Sequence, residues 1–325
     1  MRYTILLILI LKCLWLPAQD IHFSHITQTK LFNNPAFAGS DQVANLLINH
    51  RNYLPTNFGN YMTSQVSYNQ KINALHGGIG AQIVSDRQGS GTFNRHYGSL
   101  TYAYQFKAQN NIFIYAGLET KFGYLSYNTQ DLIFPDMFDP VNWELNKTNN
   151  TEEFTSPNDH YVEFNSGILM VYKNYMLRTF EEFSIGFAVH HLNKPGSMLT
   201  PENEDIYRKY NFYFDIDIPM TWRKKASNVP TITPVLFVEH QRGNTLFQYG
   251  GILKNRSYQF GIFTRHNQLF NYFHLVLHAG FDFSKYSIYY SYDGNLFTNM
   301  EKNIFSGAHE VTFTIDFQYK GKEKN

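Results

Sequence analysis

The chain has 325 residues, a formal net charge of +1, 17% aromatic residues and 16% charged residues. The near-zero net charge argues against nucleic acid as a partner. The mean hydropathy of -0.37, without an apolar run of about 18 residues after the amino terminus, argues against a helical membrane protein. Many aromatic and few charged residues are instead typical of transmembrane β-barrels, which carry aromatic girdles.

The first 19 residues predict a secretory signal. Arg2 precedes an apolar run over residues 5–11, and a cleavage site follows after Ala18 or Gln19. The single cysteine, Cys13, lies within this signal. We therefore expect neither a disulfide nor a thiolate metal site in the mature chain.

The rest of the chain alternates apolar and polar residues in segments of about ten, as transmembrane strands do. We predict an all-β fold, a transmembrane antiparallel β-barrel of the outer membrane with about 14 strands. An even number brings both ends of a bacterial single-chain barrel to the periplasm. The predicted strands are residues 44–52, 61–69, 77–85, 95–106, 112–124, 161–172, 183–191, 207–218, 231–240, 245–253, 258–265, 272–283, 287–293 and 309–319.

The lengths of the connections support this count. Loops after odd strands face the outside and should be the long ones. The connections at 126–160, 192–206 and 294–308 follow odd strands, and we predict that they are extracellular. The stretch 219–229, with a basic cluster, is predicted to be the longest periplasmic turn.

The period of two also assigns the two faces of each strand. The apolar face is predicted to contact lipid and the polar face to line the lumen. This places His190, His274 and His278 on the lumen face, with His191 opposite His190. The predicted lipid rows include Leu100, Tyr102, Tyr104 and Phe106; Phe183, Ile185, Phe187 and Val189; Phe273, Leu275, Leu277, Ala279 and Phe281; and Val311, Phe313, Ile315, Phe317 and Tyr319.

Four regions of the chain follow from these assignments. Residues 1–19 are the signal, 43–320 the barrel and 321–325 a carboxyl-terminal tail. A barrel of this size holds a water-filled lumen unless a segment plugs it. Residues 20–42 are the candidate plug, although they could equally pack at the periplasmic mouth or contact a periplasmic partner.

The histidines do not predict a metal site. His274, His278 and Asp282 share one strand face, but a spacing of four residues along a strand is roughly 13 Å, too far for one ion. Acidic residues in the 126–160 connection leave a Ca²⁺ site open as an alternative, without EF-hand spacing to support it. No cofactor is predicted.

No arrangement of residues indicates an enzyme. The sequence contains no G-x-S-x-G and no other nucleophile motif. Asp215 and Asp217 share a strand face with Asn211 and Tyr213, but paired carboxylates on a lumen wall more often interact with solvent than catalyse.

Several short motifs, taken in their order along the chain, carry a family resemblance. Each is common by itself, whereas the series is specific. The motifs are Asn34-Pro35-Ala36-Phe37-Ala38-Gly39-Ser40, Arg51, Gly78 to Gly80, Asp86 to Gly89, Tyr102-Ala103-Tyr104-Gln105-Phe106, Asp139-Pro140, Phe183 to Pro195, Tyr290 to Gly294 and Gly307 to Val311. With these motifs, nearly the whole mature chain resembles the PorP/SprF family of type IX secretion membrane proteins.

The resemblance implies a function at the outer membrane of a Gram-negative bacterium. It implies export or surface attachment of large adhesins that carry a C-terminal sorting domain, and a link to gliding motility. The implied partners are the lipid bilayer, secretion machinery proteins at the periplasmic face and the adhesin's C-terminal domain. A diffusion porin or hydrophobic-solute channel is the alternative. The residues hypothesised to bind partners are Asn34, Pro35, Phe37, Gly39, Arg51, Asp86, His190 and Asp293.

Overall fold

The computed structural model describes residues 20–41, 43–53, 61–128, 133, 137–138, 145, 158–174, 180–196, 205–220, 229–255, 257–270, 272–283, 285–295 and 307–317. The predicted signal, most of the 126–160 connection with its acidic residues, the basic cluster at 223–225 and the tail lie outside the described residues. No helix within the described ranges is long and apolar enough to cross a membrane.

Fourteen antiparallel strands in the described chain form one closed barrel, each strand pairing with its sequence neighbours. The predicted fold class and strand number are confirmed. The strands are β1 Ala44–Tyr53, β2 Tyr61–Ile72, β3 Gly77–Gln88, β4 Phe93–Gln109, β5 Ile112–Tyr127, β6 Asn158–Lys173, β7 Glu182–His190, β8 Lys209–Pro219, β9 Thr231–Gln241, β10 Asn244–Lys254, β11 Tyr258–Asn267, β12 Phe273–Phe283, β13 Tyr286–Asn295 and β14 Ala308–Phe317.

The first and last strands close the ring. β1 pairs with β14 along its whole length, from Ala44 opposite Phe317 to Tyr53 opposite Ala308. Because the barrel is closed, no strand edge exposes unpaired backbone groups to lipid, which cannot hydrogen-bond to them.

Several strands extend beyond their predicted bounds. β4 runs to Gln109 and β5 to Tyr127, and β6 begins at Asn158, so the connection predicted at 126–160 narrows to 128–157. Ser126 pairs with Asn158 at this rim. Backbone pairing continues there beyond the apolar alternation, so the hydrophobic pattern underestimates the strand length.

The two predicted faces are confirmed for the described rows. Leu100 and Phe106 on the outer face of β4 are 66% and 56% exposed, and Phe281 on β12 is 51% exposed. The inward residues between such rows are buried, as His274 and His278 are. The outer surface is therefore apolar, as lipid contact requires.

The prediction that His190 and His191 point to opposite faces is wrong. Both side chains are 3% exposed, and their ring centroids are 6.4 Å apart. β7 ends at His190, and His191 has a φ of 57°. This left-handed residue interrupts the alternation of the strand, so the second ring also turns inward.

Each end of the barrel carries one kind of connection. We call the end with the connections that follow odd strands the loop end, and the other the turn end. Residues 20–41, the amino-terminal segment, run inside the barrel from contacts near the loop end to contacts near the turn end. A one-turn α-helix at Lys30–Asn33 and a 3-10 turn at Pro35–Phe37 form part of this segment.

Candidate functional site

The amino-terminal segment begins in a cluster of charged groups near the loop end. The Asp20 carboxylate is 3.0 Å from Arg95 Nη1, 2.6 Å from His191 Nε2 and 3.3 Å from Lys209 Nζ. Nδ1 of His191 lies 2.9 Å from Glu163 Oε2. The three partners of Asp20 lie on β4, just after β7 and on β8, so one side chain of the segment bridges distant parts of the barrel.

Asp20 and His191 shift each other's protonation. Burial alone would raise the pKa of Asp20, but His191, Lys209 and Arg95 together hold that pKa well below its ordinary value. Burial would likewise lower the pKa of His191, but the Asp20 and Glu163 carboxylates raise it above 6.5. Both shifts favour the charged pair.

A second buried charge cluster surrounds Asp293 on β13. Its carboxylate is 3.0 Å from Arg51 Nη2 on β1, 2.6 Å from Arg265 Nη1 on β11 and 2.5 Å from His274 Nδ1 on β12. The Ser24 hydroxyl donates to the same carboxylate at 3.1 Å. Because Asp293 and Arg265 are fully buried, each cation compensates a charge that water does not reach.

Glu310 on β14 binds the backbone of the segment. The backbone N–H groups of Ser24 and His25 donate to its carboxylate at 2.6 and 3.3 Å. The His25 ring packs edge-on against His278 with centroids 4.2 Å apart, and its Nδ1 lies 3.1 Å from Thr312 Oγ1. Ser24 and His25 thus contact the last strand, and the His25 ring also contacts β12.

Lys30 carries a third ionic contact, midway along the segment. Its Nζ is 3.2 Å from Asp215 Oδ2 on β8 and lies 5.4 and 5.5 Å from the ring centroids of Phe37 and Tyr213. Asp215 is buried, so the expectation that its carboxylate interacts with solvent is wrong. Its strand neighbour Asp217 binds Lys254 at 3.2 Å.

Wall glycines accommodate the second half of the segment. A Cβ on Gly117 would lie 2.4 Å from the backbone nitrogen of Ala36, and one on Gly167 would lie 2.0 Å from Asn34 Oδ1. A Cβ on Gly78 would lie 2.2 Å from the Cα of Gly39, which itself has a φ of 70°. Glycine in a strand interior permits such close approach of another backbone.

Apolar packing and wall amides fix the same half. Ala36 and Phe37 belong to a buried cluster with wall residues that include Tyr115 and Leu169. The Asn34 side chain accepts from the Ala36 backbone at 2.8 Å and donates to the Ile168 carbonyl at 3.1 Å. This half therefore packs directly against the wall.

A cavity of about 330 Å³ lies between the segment and the wall near the turn end. Both acidic and basic groups line it, together with amides and hydroxyls. The lining residues include Gln28, Lys30, Asp41, Asn69, Thr314 and Asp316.

The structure brings most of the predicted site residues into one interface. Seven of the eight residues predicted to bind partners either belong to the segment or contact it: Asn34, Pro35, Phe37, Gly39, Arg51, His190 and Asp293. Asp86 lies on the inner wall and accepts from Thr63 and Gln88 at 2.6 and 2.8 Å. Their binding to another protein stays a prediction.

Other residues of this interface were not singled out by the sequence. Glu310, Arg265 and Lys209 bind the segment, as does Gln248. Their inward position could be predicted, because each is a polar residue in the polar row of its strand. Asp20 gave no such signal, since nothing local distinguishes it.

The described residues include no group of three or more His, Cys, Asp or Glu side chains that could hold a metal ion. His274, His278 and Asp282 have separate partners: Asp293, His25 and Tyr289. The side chains of this interface bind one another, so the arrangement is suited to holding a polypeptide segment rather than to transforming a small molecule.

The fold and the lumen define the class: a membrane β-barrel of the outer-membrane type that encloses its own amino-terminal segment. The chain belongs to the family of type IX secretion system membrane proteins PorP/SprF, whose model matches residues 16–315. No curated protein matches the sequence.

Solved outer-membrane barrels are similar in fold. The toluene transporter TodX of Pseudomonas putida is 10% identical, with a TM-score of 0.44, over 91% of this chain and 93% of that one. CdiB from Acinetobacter baumannii is 8% identical, with a TM-score of 0.45, over 85% and 60%. BamA from Haemophilus ducreyi lacking POTRA domains 1-3 is 10% identical, with a TM-score of 0.38, over 84% and 69%.

Proposed function

We propose that this protein is an outer-membrane component of the type IX secretion system that supports export or surface attachment of large adhesin-type proteins with a C-terminal sorting domain. The observation that carries the proposal is the family match over residues 16–315. Family and fold point to a secretion or transport barrel rather than to an enzyme.

The occupied lumen favours secretion over the alternative, a diffusion porin or hydrophobic-solute channel. A diffusion channel needs a continuous aqueous path. Residues 20–41 cross the lumen where that path would run, held by the buried ion pair of Asp20 with His191 and by the partly buried ion pair of Lys30 with Asp215. We propose that this segment is a resident plug.

The two ends of the barrel would then meet different partners. We propose that the loop end faces outside and contacts the adhesin's sorting domain, since long loops on a rigid barrel form a binding surface. The turn end would face the periplasm and contact the secretion machinery. The apolar outer face would contact lipid.

Deletion of the gene tests the proposal. We expect a small set of large surface proteins to disappear from the cell surface or to accumulate in the medium, while entry of small hydrophilic dyes is unchanged. A strain complemented with the Gly98→Ala variant, altered only on the outer face, is the matched control and should restore the surface proteins. Unchanged surface proteins with reduced dye entry would support the channel instead.

A further inference from the structure

The first six residues of the segment are bound by their main chain. The carbonyls of His22, Phe23 and Ser24 accept hydrogen bonds from Arg51 at 3.3 Å, Arg265 at 3.0 Å and Gln248 at 3.0 Å. The backbone N–H groups of Ser24 and His25 donate to Glu310, and that of Asp20 to Gln241 at 3.3 Å. Wall side chains thus supply hydrogen-bond partners for these buried backbone groups.

Most of these donors and acceptors belong to wall side chains that are themselves buried. Arg265 and Glu310 are 0% exposed and Gln248 is 1% exposed. Charged groups at this depth are costly unless a partner is present. The wall is therefore built to hold a peptide backbone at this level of the lumen.

Side chains of the bound peptide are recognised as well: the Ser24 hydroxyl binds Asp293, and the His25 ring packs against His278. The Asp20 carboxylate enters the cationic group formed by Arg95, His191 and Lys209. Ile21 and Phe23 are buried in an apolar cluster with wall residues Val84 and Tyr97. The fitting ligand is a peptide with a carboxylate at its first position, apolar side chains at its second and fourth, and a hydroxyl at its fifth.

The two halves of the segment differ in how they are held. Residues 34–39 are fixed by apolar packing and by close contacts with wall glycines. Residues 20–25 are held largely by hydrogen bonds and ion pairs, which another peptide or water can supply in exchange. Release of the first half would leave the segment attached through the second half.

We propose that residues 20–25 occupy a peptide-binding track near the loop end, and that a segment of an exported protein takes their place. The track consists of Arg51, Arg95, His191, Lys209, Gln248, Arg265, Asp293 and Glu310. The source of the incoming peptide rests on the proposed function, whereas the track itself does not. Its ligand is a peptide that follows the path of residues 20–25 and is bound through both main chain and side chains, with an acidic residue at the end nearest Arg95.

The test is peptide binding to a barrel whose track has been emptied. A variant lacking residues 20–25 is purified in detergent, and its folded state is checked by heat-modifiability. A labelled peptide with the sequence of residues 20–25 should bind this variant saturably and bind the full chain, where the track is filled, at least about tenfold more weakly. Absence of binding to the folded variant would overturn the proposal.

A modified peptide isolates the main-chain contact. Methylation of the backbone nitrogen at the position of Ser24 removes one of the two backbone hydrogen bonds to Glu310 and leaves every side chain unchanged. The expected loss is about tenfold in affinity, the effect of one hydrogen bond to a charged group. Equal affinity of the two peptides would contradict recognition of the main chain.

A second variant covers the case in which the deleted chain does not fold. Asp20→Asn in the full chain weakens the hold of residues 20–25 and keeps their main chain. A peptide with a photoreactive group at the Phe23 position should crosslink to Asp20→Asn more strongly than to the unchanged protein, at residues around Val84 and Tyr97. No increase in crosslinking would overturn the proposal.

The peptide experiment is independent of the deletion strain. Failure of peptide binding contradicts the track whatever happens to the surface proteins. Unchanged surface proteins contradict the secretion function and do not affect the peptide titration. Competition by a peptide from the sorting domain of a protein lost in the deletion strain would support both.

Discussion

Arg51 on β1 and Asp293 on β13 form a buried ion pair that spans the closing strand β14. Their Nη2 and Oδ2 atoms are 3.0 Å apart, and the two side chains are 7% and 0% exposed. Arg265 and Ser24 bind the same carboxylate oxygen at 2.6 and 3.1 Å. The Asp293 carboxylate on β13 thus connects β1, β11 and the amino-terminal segment.

Asp293→Asn should destabilise the barrel strongly. The substitution leaves Arg51 and Arg265 as buried charges without their counter-ion, which costs about 3–5 kcal/mol of unfolding free energy. Denaturant unfolding in detergent measures the loss. Asp205→Asn, at an exposed position, is the control and should change stability by less than about 0.5 kcal/mol. Equal effects of the two variants would contradict the role of the Asp293 cluster.

Gly117→Ala should displace the amino-terminal segment. The added methyl group would lie 2.4 Å from the Ala36 backbone nitrogen, and such overpacking costs about 1–3 kcal/mol. Limited proteolysis followed by amino-terminal sequencing should show faster cleavage within residues 20–41. Gly98→Ala on the neighbouring strand meets only a carbonyl at 3.8 Å, so its cleavage rate should stay at the level of the unchanged protein.

Charge should be tolerated on the lumen face and not on the lipid face. Phe313→Lys puts an ammonium group on the outer face near the middle of β14 and should cost about 2–4 kcal/mol. Thr314 faces inward and borders the cavity of about 330 Å³, which can hold the lysine side chain and its water. Thr314→Lys should therefore cost far less. Folding titrations of both variants measure the difference, and equal sensitivity would refute the assignment of faces.

The attachment of Asp20 should depend on pH in two directions. The stabilisation from His191, whose pKa is raised, is complete below about pH 6.5 and is lost as the pH rises through the raised value. The stabilisation from Asp20, whose pKa is lowered, is complete above about pH 4 and is lost as the pH falls through the lowered value. Hydrogen exchange of residues 20–25 should therefore be slowest between about pH 4 and 6.5 after correction for intrinsic exchange. His191→Gln should remove the loss on the alkaline side, and a loss of the same size in this variant would contradict the assignment.

Two matched cysteine variants test the orientation of the barrel. Leu269, between β11 and β12, is 68% exposed at the loop end, and Leu75, between β2 and β3, is 47% exposed at the turn end. Leu269→Cys should react with a membrane-impermeant maleimide on intact cells, and Leu75→Cys only after permeabilisation. The only native cysteine, Cys13, belongs to the predicted signal. The opposite pattern would reverse the orientation.

The number, order and faces of the strands could be predicted from the sequence. Successive residues of a strand face lipid and lumen in turn, so the two faces can be recognised from short stretches of sequence, as for Leu100 and Phe106. Exact strand ends were not predictable, because pairing at the rims, such as Ser126 with Asn158, needs no apolar alternation. The orientation of the His191 side chain could not be predicted from the alternation of the strand, since its left-handed φ of 57° interrupts that alternation.

The sequence also identified most residues of the interface without identifying the interface itself. Asn34, Arg51 and Asp293 stood out individually as residues predicted to bind partners. The tertiary structure decided that they meet around one segment inside the barrel. Arg51 and Asp293 are 242 residues apart in the chain, and only the register of β1 on β14 and of β14 on β13 brings them together. Such contacts depend on ring closure, a long-range condition that no local pattern of residues contains.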